Sequence, residues 1–121
     1  LSGEPLVVHG DGHQSRDFTY VESVCDAIFA ACENSLSNPT AVNLAFGSNT
    51  SLLELAASLG EVIGEELDLV FRERRVGDVT ASQADPTLFL SLFPQLEPWD
   101  LNAGLRKTYL EMDSVRRAKN E

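Results

Sequence analysis

Short apolar segments alternate along the chain with amphipathic helical patterns, and this alternation limits the folds that the chain can adopt. Residues 5–10, 41–47 and 67–73 have the length and composition of strands. Between them, residues 51–54 read Ser-Leu-Leu-Glu, a capping box in which the serine and the glutamate satisfy each other's backbone N–H. The order of elements predicts an α/β fold with fewer strands than a complete doubly wound sheet requires.

The first half of the chain contains two further predicted elements. Residues 16–21 alternate enough to form a short extended segment. A helix is expected to follow it, with Ser23 as its N-cap. The helical spacing places Val24, Ile28 and Ala31 on the inner side of this helix.

Caps also mark the later helices. The second helix starts at the capping box and ends at Gly64. Asp85 and Pro86 predict the start of a short helix, which Pro94 ends. A last helix starts near Asp100. The predicted inner positions are Leu52, Leu55, Leu59, Val62 and Ile63 in the second helix and Leu101, Leu105, Tyr109 and Met112 in the last.

Composition and charge restrict the class of protein. The chain has 121 residues, 43% of them hydrophobic, which is enough for one compact domain with a core. Its net charge of −10 argues against general nucleic-acid binding. We find no membrane-span pattern and no leader, so we expect a soluble protein without a membrane partner. Because the first residue is Leu1, we also expect the chain to be a piece of a longer protein.

The two cysteines indicate a reducing compartment. Cys25 and Cys32 are seven residues apart, about 10.5 Å along a helix, which is too far for a disulfide. We predict buried free thiols and a cytoplasmic location. His9 and His13 are isolated, and no metal-ligand spacing accompanies them, so no metal site is predicted.

The distribution of arginine points to an anion site. Residues 1–105 contain 16 acids, no lysine and four arginines, of which three lie at positions 72, 74 and 75. An arginine fork matches phosphate or carboxylate oxygens, whereas lysine acts as a point charge. The alternative for Arg72 and Arg74, which we favour for those two, is a pair of solvated residues facing Glu73 or nearby acids.

Four ordered motifs give the chain a specific resemblance. They read GDGHQSRDFTYV from residue 10, VNLAFGSNTSLLEL from 42, RVGDVTASQAD from 75 and LNAGLRKTYLEM from 101. In this order they resemble the C-terminal portion of extended short-chain dehydrogenases/reductases, the NAD-dependent nucleotide-sugar epimerase/dehydratase family. The resemblance implies that residues 1–121 are a substrate-binding portion with an incomplete Rossmann-like sheet.

The resemblance also implies roles for individual residues. Arg16 and Arg75 would bind the pyrophosphate of a nucleotide-sugar from two sides, and Asp78 would accept from the ribose hydroxyls. The strand at Val7 to His9, with Val8 and His9 as the binding residues, would lie beside the base. These residue types suit a diphosphate and a diol.

One position bears on the sugar. In similar 4-epimerases, the residue four after the motif's aspartate faces the sugar near its 2-substituent, and here it is Ser82. A small residue leaves room for an N-acetyl group, which favours UDP-N-acetylglucosamine/UDP-N-acetylgalactosamine interconversion over plain hexoses. That Ser82 only fills a turn is an open alternative.

The family's catalytic parts are missing from this sequence. Its chemistry needs a glycine-rich phosphate loop and a Tyr-x-x-x-Lys pair. Tyr20 is followed four residues later by Val24, and Tyr109 by Asp113. The chain is therefore expected to contain no catalytic residue, to bind no NAD itself and to be inactive alone, with NAD held elsewhere in an intact enzyme.

The sequence thus predicts the UDP-sugar-binding portion of an NAD-dependent 4-epimerase. A nucleotide-sugar 4,6-dehydratase or decarboxylase would share the same arginines and is the alternative within the family. A non-catalytic acidic interaction module is the alternative from another class. Homodimerisation of the intact enzyme is left open, because similar enzymes dimerise through helices outside these residues.

Overall fold

The structure, a computed structural model, describes residues 3–38 and 40–119. Its strands are β1 (Leu6–His9), β2 (Ser15–Arg16), β3 (Thr50–Ser51), β4 (Leu69–Arg72) and β5 (Ala81–Ser82). Its helices are α1 (Val21–Glu33), α2 (Leu52–Ile63), α3 (Thr87–Leu92) and α4 (Leu101–Lys119). The predicted α/β class is confirmed.

The described strands form two small sheets. In the first, β1 pairs with β4 in parallel, with Leu6 opposite Leu69 and His9 opposite Arg72. In the second, β2 is central, antiparallel to β3 and parallel to β5. Because β1 and β4 are parallel, the turns that follow them lie at the same edge of their sheet. That edge carries most of the predicted site residues.

The core lies between α1, α3 and the segment 41–47. Ala27 and Ala30 of α1 are buried against Phe89 of α3 and against Phe93, which directly follows that helix. Phe46 meets Phe89 edge to face, with 5.2 Å between the ring centroids. The small alanine side chains let these rings approach the helix closely, and the edge-to-face contact is a favoured arrangement of aromatic rings.

The predicted start of α1 is wrong, and so is one of its three predicted inner positions, Ile28, whereas Ala31 is partly buried against the core. The helix begins at Val21, and Ser23 lies inside its first turn, where its Oγ accepts a hydrogen bond from the Trp99 N–H at 3.3 Å. Val24 is half-buried, but the side chain of Ile28 is 57% exposed. The helix is apolar on two sides, so periodicity alone did not indicate which side faces the aromatic rings of α3.

The predicted burial of the cysteines is also wrong. Cys25 and Cys32 are free, as expected, but both are exposed on the outer side of α1. Val21, Ile28 and Phe29 are exposed there as well, which makes this side of the helix an apolar surface. We call Val21, Cys25, Ile28, Phe29 and Cys32 the outer α1 face.

The predicted strand at 41–47 is not formed. A strand needs a neighbour for its backbone N–H and C=O groups, and no described strand pairs with this segment. The segment instead contributes side chains to the core, with Ala45 buried and Val42, Leu44 and Phe46 partly buried. The predicted strands at 5–10 and 67–73 are confirmed as β1 and β4.

Helix α2 forms as its caps predict. Ser51 and Glu54 make both bonds of the capping box, and Gly64 ends the helix in the left-handed region at φ 83°. The predicted inner positions of α2 are half-buried, and α2 packs against α4.

The last two helices differ from prediction only in detail. Helix α3 begins at Thr87, so Pro86 is the N-cap and not the first helical residue. In α4, Leu101, Leu105 and Tyr109 are half-buried as predicted, whereas Met112 is 57% exposed. No helix among the described residues is long and apolar enough to cross a membrane.

Gly12 allows the turn after β1 to pack closely against the N-terminus of α2. Its φ is 81°, and a Cβ built there would lie 2.7 Å from the Leu53 side chain. The Leu53 N–H donates to the Gly12 carbonyl at 3.2 Å. Only glycine fits both the backbone angle and this close approach.

Candidate functional site

Four of the six predicted site residues lie in or beside two loops. Residues 10–14 follow β1, and residues 73–80 follow β4. In sheets with parallel strands, ligands bind beyond the carboxyl ends of the strands, because loops from neighbouring strands meet there. The first loop leads into Arg16, and the second contains Arg75 and Asp78 and leads into Ser82.

Arg16 joins these two parts of the chain. Its Nη2 lies 2.9 Å from Asp78 Oδ1, and the two side chains are 29% and 27% exposed. The parallel pairing of β2 with β5 sets Arg16 opposite Ser82. Arg16 is therefore a neighbour in the fold of two predicted site residues that lie far from it in the sequence.

Arg75 opens a tight turn that ends at Asp78. The Asp78 N–H donates to the Arg75 carbonyl at 3.2 Å, and Gly77 takes the positive φ of 85° that the turn requires. Among the residues that the structure describes, the Arg75 guanidinium has no ion pair or hydrogen bond. Its donors therefore face solvent in the immediate sequence neighbourhood of the Arg16–Asp78 pair.

Val8 and His9 hold the other loop. Val8 is buried in β1, opposite Phe71. His9 Nδ1 donates to the Glu73 carbonyl at 3.0 Å, and Gln14 Nε2 donates to the His9 carbonyl at 2.6 Å. These bonds connect the end of β1 and its following loop to the loop after β4. Val8 and His9 therefore stabilise the two loops, whether or not they also contact a ligand.

The neighbouring arginines have different surroundings. Arg72 is exposed on β4 and makes no side-chain contact with the described acids. Arg74 donates from Nη2 to the Asp78 carbonyl at 2.9 Å and to Thr80 Oγ1 at 2.8 Å. The alternative in which Arg74 pairs with an acid is thus wrong, because the partners of the Arg74 guanidinium are a backbone carbonyl and a hydroxyl.

Sequence reasoning assigned no role to three residues that support the site. Gln14 is buried beneath the first loop, and Thr80 receives the Arg74 bond. Asp17 accepts from the Gly47 N–H at 3.1 Å and from Ser48 Oγ at 2.6 Å, which holds residues 47–48 against the end of β2. Each is a polar residue next to a turn, which is a weak signal because most such residues face solvent.

The segment after Ser82 is anchored independently. Gln83 Nε2 donates to the Gly47 carbonyl at 2.6 Å. Asp85 lies two residues after Gln83, and hydrogen bonds from the side chain and backbone of Thr87 lower the pKa of its carboxyl. The Asp85 carboxylate thus accepts hydrogen bonds from Thr87, the first residue of α3, and these bonds favour its charged form.

The described part of the chain holds no cluster of side chains suited to a metal ion. A cavity of about 500 Å³ lies between α2 and residues 64–69, but none of the predicted site residues lines it. The candidate site is instead an open surface with guanidinium groups, a carboxylate and a small hydroxyl. Such a set matches an anionic group joined to a diol.

Comparisons with known proteins identify relatives of the chain. The profile of the NAD dependent epimerase/dehydratase family matches residues 1–45. UDP-glucose 4-epimerase of Mycolicibacterium smegmatis is 30% identical over 108 residues, which are 89% of this chain and 34% of that protein.

Two solved structures share the fold. UDP-glucuronic acid 4-epimerase from Bacillus cereus, solved with UDP-glucuronic acid and NAD, has a TM-score of 0.82 at 26% identity. UDP-N-acetylglucosamine 4-epimerase from Methanobrevibacter ruminantium, solved with UDP-N-acetylmuramic acid, has a TM-score of 0.82 at 28% identity. Each match covers 93% of this chain and 36% of the other.

The chain thus spans about a third of the length of the relatives it matches. Its two small sheets are consistent with part of a Rossmann-like fold. On sequence and fold together, the chain resembles nucleotide-sugar epimerases of the extended short-chain dehydrogenase/reductase family.

Proposed function

We propose that residues 1–121 form the nucleotide-sugar-binding portion of an NAD-dependent UDP-sugar 4-epimerase. The observation that carries the proposal is the convergence of Arg16, Asp78 and Ser82 beside the turn that holds Arg75. The three relatives support it, since all are named as 4-epimerases of UDP-sugars. Anchoring the non-reacting nucleotide diphosphate would convert its binding energy into orientation of the sugar.

In this proposal each residue has a distinct task. Arg16 and Arg75 donate to the diphosphate, and Asp78 accepts from the ribose hydroxyls. Val8 and His9, at the end of β1, lie beside the base. Two observations support these separate roles. The Arg75 guanidinium has free donors, and the Arg16 guanidinium is already oriented by Asp78.

The sugar is assigned by size. The named substrates of the three relatives carry different sugars but share UDP, so the nucleotide is the better supported half of the ligand. Ser82 is small, exposed and opposite Arg16. We therefore assign UDP-N-acetylglucosamine and UDP-N-acetylgalactosamine as substrates, with UDP-glucose and UDP-galactose as the other pair that fits.

NAD does not fit the residues described here. A dinucleotide loop needs glycines at the N-terminus of a helix, whereas the turn at residues 10–12 joins β1 to the short strand β2. We propose that an intact enzyme of the relatives' length holds NAD, and the residues that move protons, outside residues 1–121. The cytoplasmic location stays a prediction, as does any homodimer.

Calorimetry with UDP tests the nucleotide site directly. The 121-residue chain is expected to bind UDP, and Arg75→Ala is expected to weaken binding about tenfold, the loss of roughly one charge-assisted contact. Arg106→Ala, which removes the same charge from an exposed position on α4, is the matched control and should change the affinity less than twofold. Equal affinities for the Arg75 and Arg106 variants would refute the diphosphate site.

Product analysis distinguishes the enzymes of the family. A protein of the relatives' length that includes this chain, supplied with NAD and UDP-N-acetylglucosamine, should form UDP-N-acetylgalactosamine. A 4-keto-6-deoxy sugar would identify a dehydratase instead, and carbon dioxide released from UDP-glucuronic acid would identify a decarboxylase.

A further inference from the structure

We propose that Arg74 is a positioning residue for the UDP site, which fixes the 75–78 turn against both neighbouring strands without itself binding the ligand. This inference rests on the proposed function. It concerns a residue that the sequence alone favours as a solvated strand arginine.

The first observation is the pair of bonds that the Arg74 guanidinium makes. Its Nη2 donates to the Asp78 carbonyl at 2.9 Å and to Thr80 Oγ1 at 2.8 Å. The first acceptor belongs to Asp78, the last residue of the turn that starts at Arg75, and the second lies two residues beyond the turn. The side chain of Arg74 therefore spans the turn and holds its two ends at a fixed separation.

The second observation is that Arg74 reaches the other loop as well. A Cβ built on Gly10 would lie 3.8 Å from Arg74 Cγ and 3.9 Å from its Cβ, so the aliphatic stem of Arg74 lies over the glycine after β1. The Gly10 N–H in turn donates to the Arg72 carbonyl at 2.9 Å. The Arg74 side chain thus bonds to one loop of the candidate site and lies beside the other.

The third observation connects Arg74 to Arg16. The Thr80 carbonyl accepts from the Ser15 N–H at 2.9 Å, directly before Arg16 in β2. The same Asp78 whose carbonyl binds Arg74 pairs through its carboxylate with Arg16. Arg74 therefore holds the backbone on which the groups of the site are mounted, while Asp78 orients the Arg16 guanidinium.

These contacts separate Arg74 from its neighbours. The Arg74 guanidinium already donates to a backbone carbonyl and a hydroxyl, so it has fewer donors left for a phosphate. Arg75 has all of its donors free among the described residues. A fixed turn lowers the entropy lost when Arg75 and Asp78 engage a ligand, which is how preorganisation raises affinity.

The test compares Arg74→Met with Arg72→Met in the 121-residue chain. Methionine keeps an apolar stem over Gly10 and removes the guanidinium, and Arg72 offers the same change of charge on an exposed residue of the adjoining strand. Two quantities are measured: amide hydrogen exchange of residues 76–80, and the affinities for UDP and for uridine at low and high salt. Melting temperatures check that both variants remain folded.

We expect Arg74→Met to speed amide exchange at residues 76–80 at least about threefold and to weaken UDP binding about fivefold. The loss of UDP affinity should persist at high salt, where general charge effects are screened. The affinity of Arg74→Met for uridine should fall less than its affinity for UDP. Arg72→Met should leave the exchange rate, the UDP affinity and the uridine affinity within about twofold of those of the unsubstituted chain. Arg74→Lys, which keeps the charge but not the fork, should not restore UDP affinity.

The outcomes separate this inference from the proposed function. If the unsubstituted chain binds UDP and the two methionine variants behave alike, the positioning role is overturned while the UDP site stands. If the unsubstituted chain does not bind UDP at all, the proposed function fails, and the positioning role fails with it.

Discussion

Asp78 is the residue on which most contacts of the site depend. Its carboxylate holds the Arg16 guanidinium, its backbone carbonyl accepts from Arg74, and its N–H closes the turn that begins at Arg75. The carboxylate therefore faces two demands in the proposed complex. It must keep Arg16 oriented, and it must accept from ribose hydroxyls.

Asp78→Asn separates the two demands. Asparagine keeps the shape but loses the charge, so the hydrogen bonds to ribose hydroxyls weaken while repulsion between this residue and a diphosphate disappears. We expect UDP affinity to fall about fivefold and pyrophosphate affinity not to fall. Titration of the chain with each ligand, beside the same measurement on Asp26→Asn of the exposed side of α1, checks this. A parallel loss for both ligands would mean that Asp78 acts only through Arg16.

At the scale of elements, the capping box is the feature with the clearest dependence on pH. Hydrogen bonds from the backbone N–H and the hydroxyl of Ser51 lower the pKa of the Glu54 carboxyl below its ordinary value of 4.5. A lowered pKa in the folded state means that the folded protein binds this proton less readily than the unfolded chain. The bonds therefore add stability above pH 4.5, and that contribution is lost as the pH falls through the lowered folded value.

Glu54→Gln tests this sign. Glutamine keeps a capping-box acceptor but does not titrate. The stability advantage of the unsubstituted chain over the variant is expected to be larger at pH 6 than at pH 3, as measured by urea unfolding. A difference that is the same at both pH values would contradict the role of the charged Glu54.

Elements with local signals were predictable, and those that depend on distant partners were not. The capping box, the glycine stop of α2 and the turn at 75–78 are encoded by neighbouring residues. The short strands β3 and β5 were missed because two residues leave no periodicity, and they exist only through pairing with β2. The strand predicted at 41–47 failed for the complementary reason, since its residues suit a strand but lack a described neighbour.

The same distinction applies to the site. Motif order predicted a set of site residues, and the structure brings three of them, Arg16, Asp78 and Ser82, together. Their contact with a ligand stays a prediction. The Arg74 bonds and the burial of Gln14 depend on how two loops fold over one another, which no spacing in the sequence expresses.

At the scale of the whole molecule, the outer α1 face is the largest departure from what the sequence predicts. Phe29 is 64% exposed, Val21 60% and Ile28 57%, and the two cysteines lie among them. Exposed apolar residues are common singly, but five on one side of one helix form a patch that favours association. The chain spans about a third of its relatives, so much of a relative-length protein is available to cover such a patch.

In the 121-residue chain alone, nothing described covers this face, and we expect the chain to self-associate through it. Phe29→Glu places a charge in the patch without removing a buried side chain, so it should raise the self-dissociation constant about tenfold, equivalent to ~1.4 kcal/mol. Leu110→Glu on α4 makes the same change at a residue of similar exposure, 59%, and should change that constant less than about twofold. Sedimentation velocity over a concentration series measures both. If the unsubstituted chain stays monomeric throughout, the acidic charge of the whole chain outweighs the apolar patch. If both variants shift the constant equally, the chain associates, but not specifically through α1.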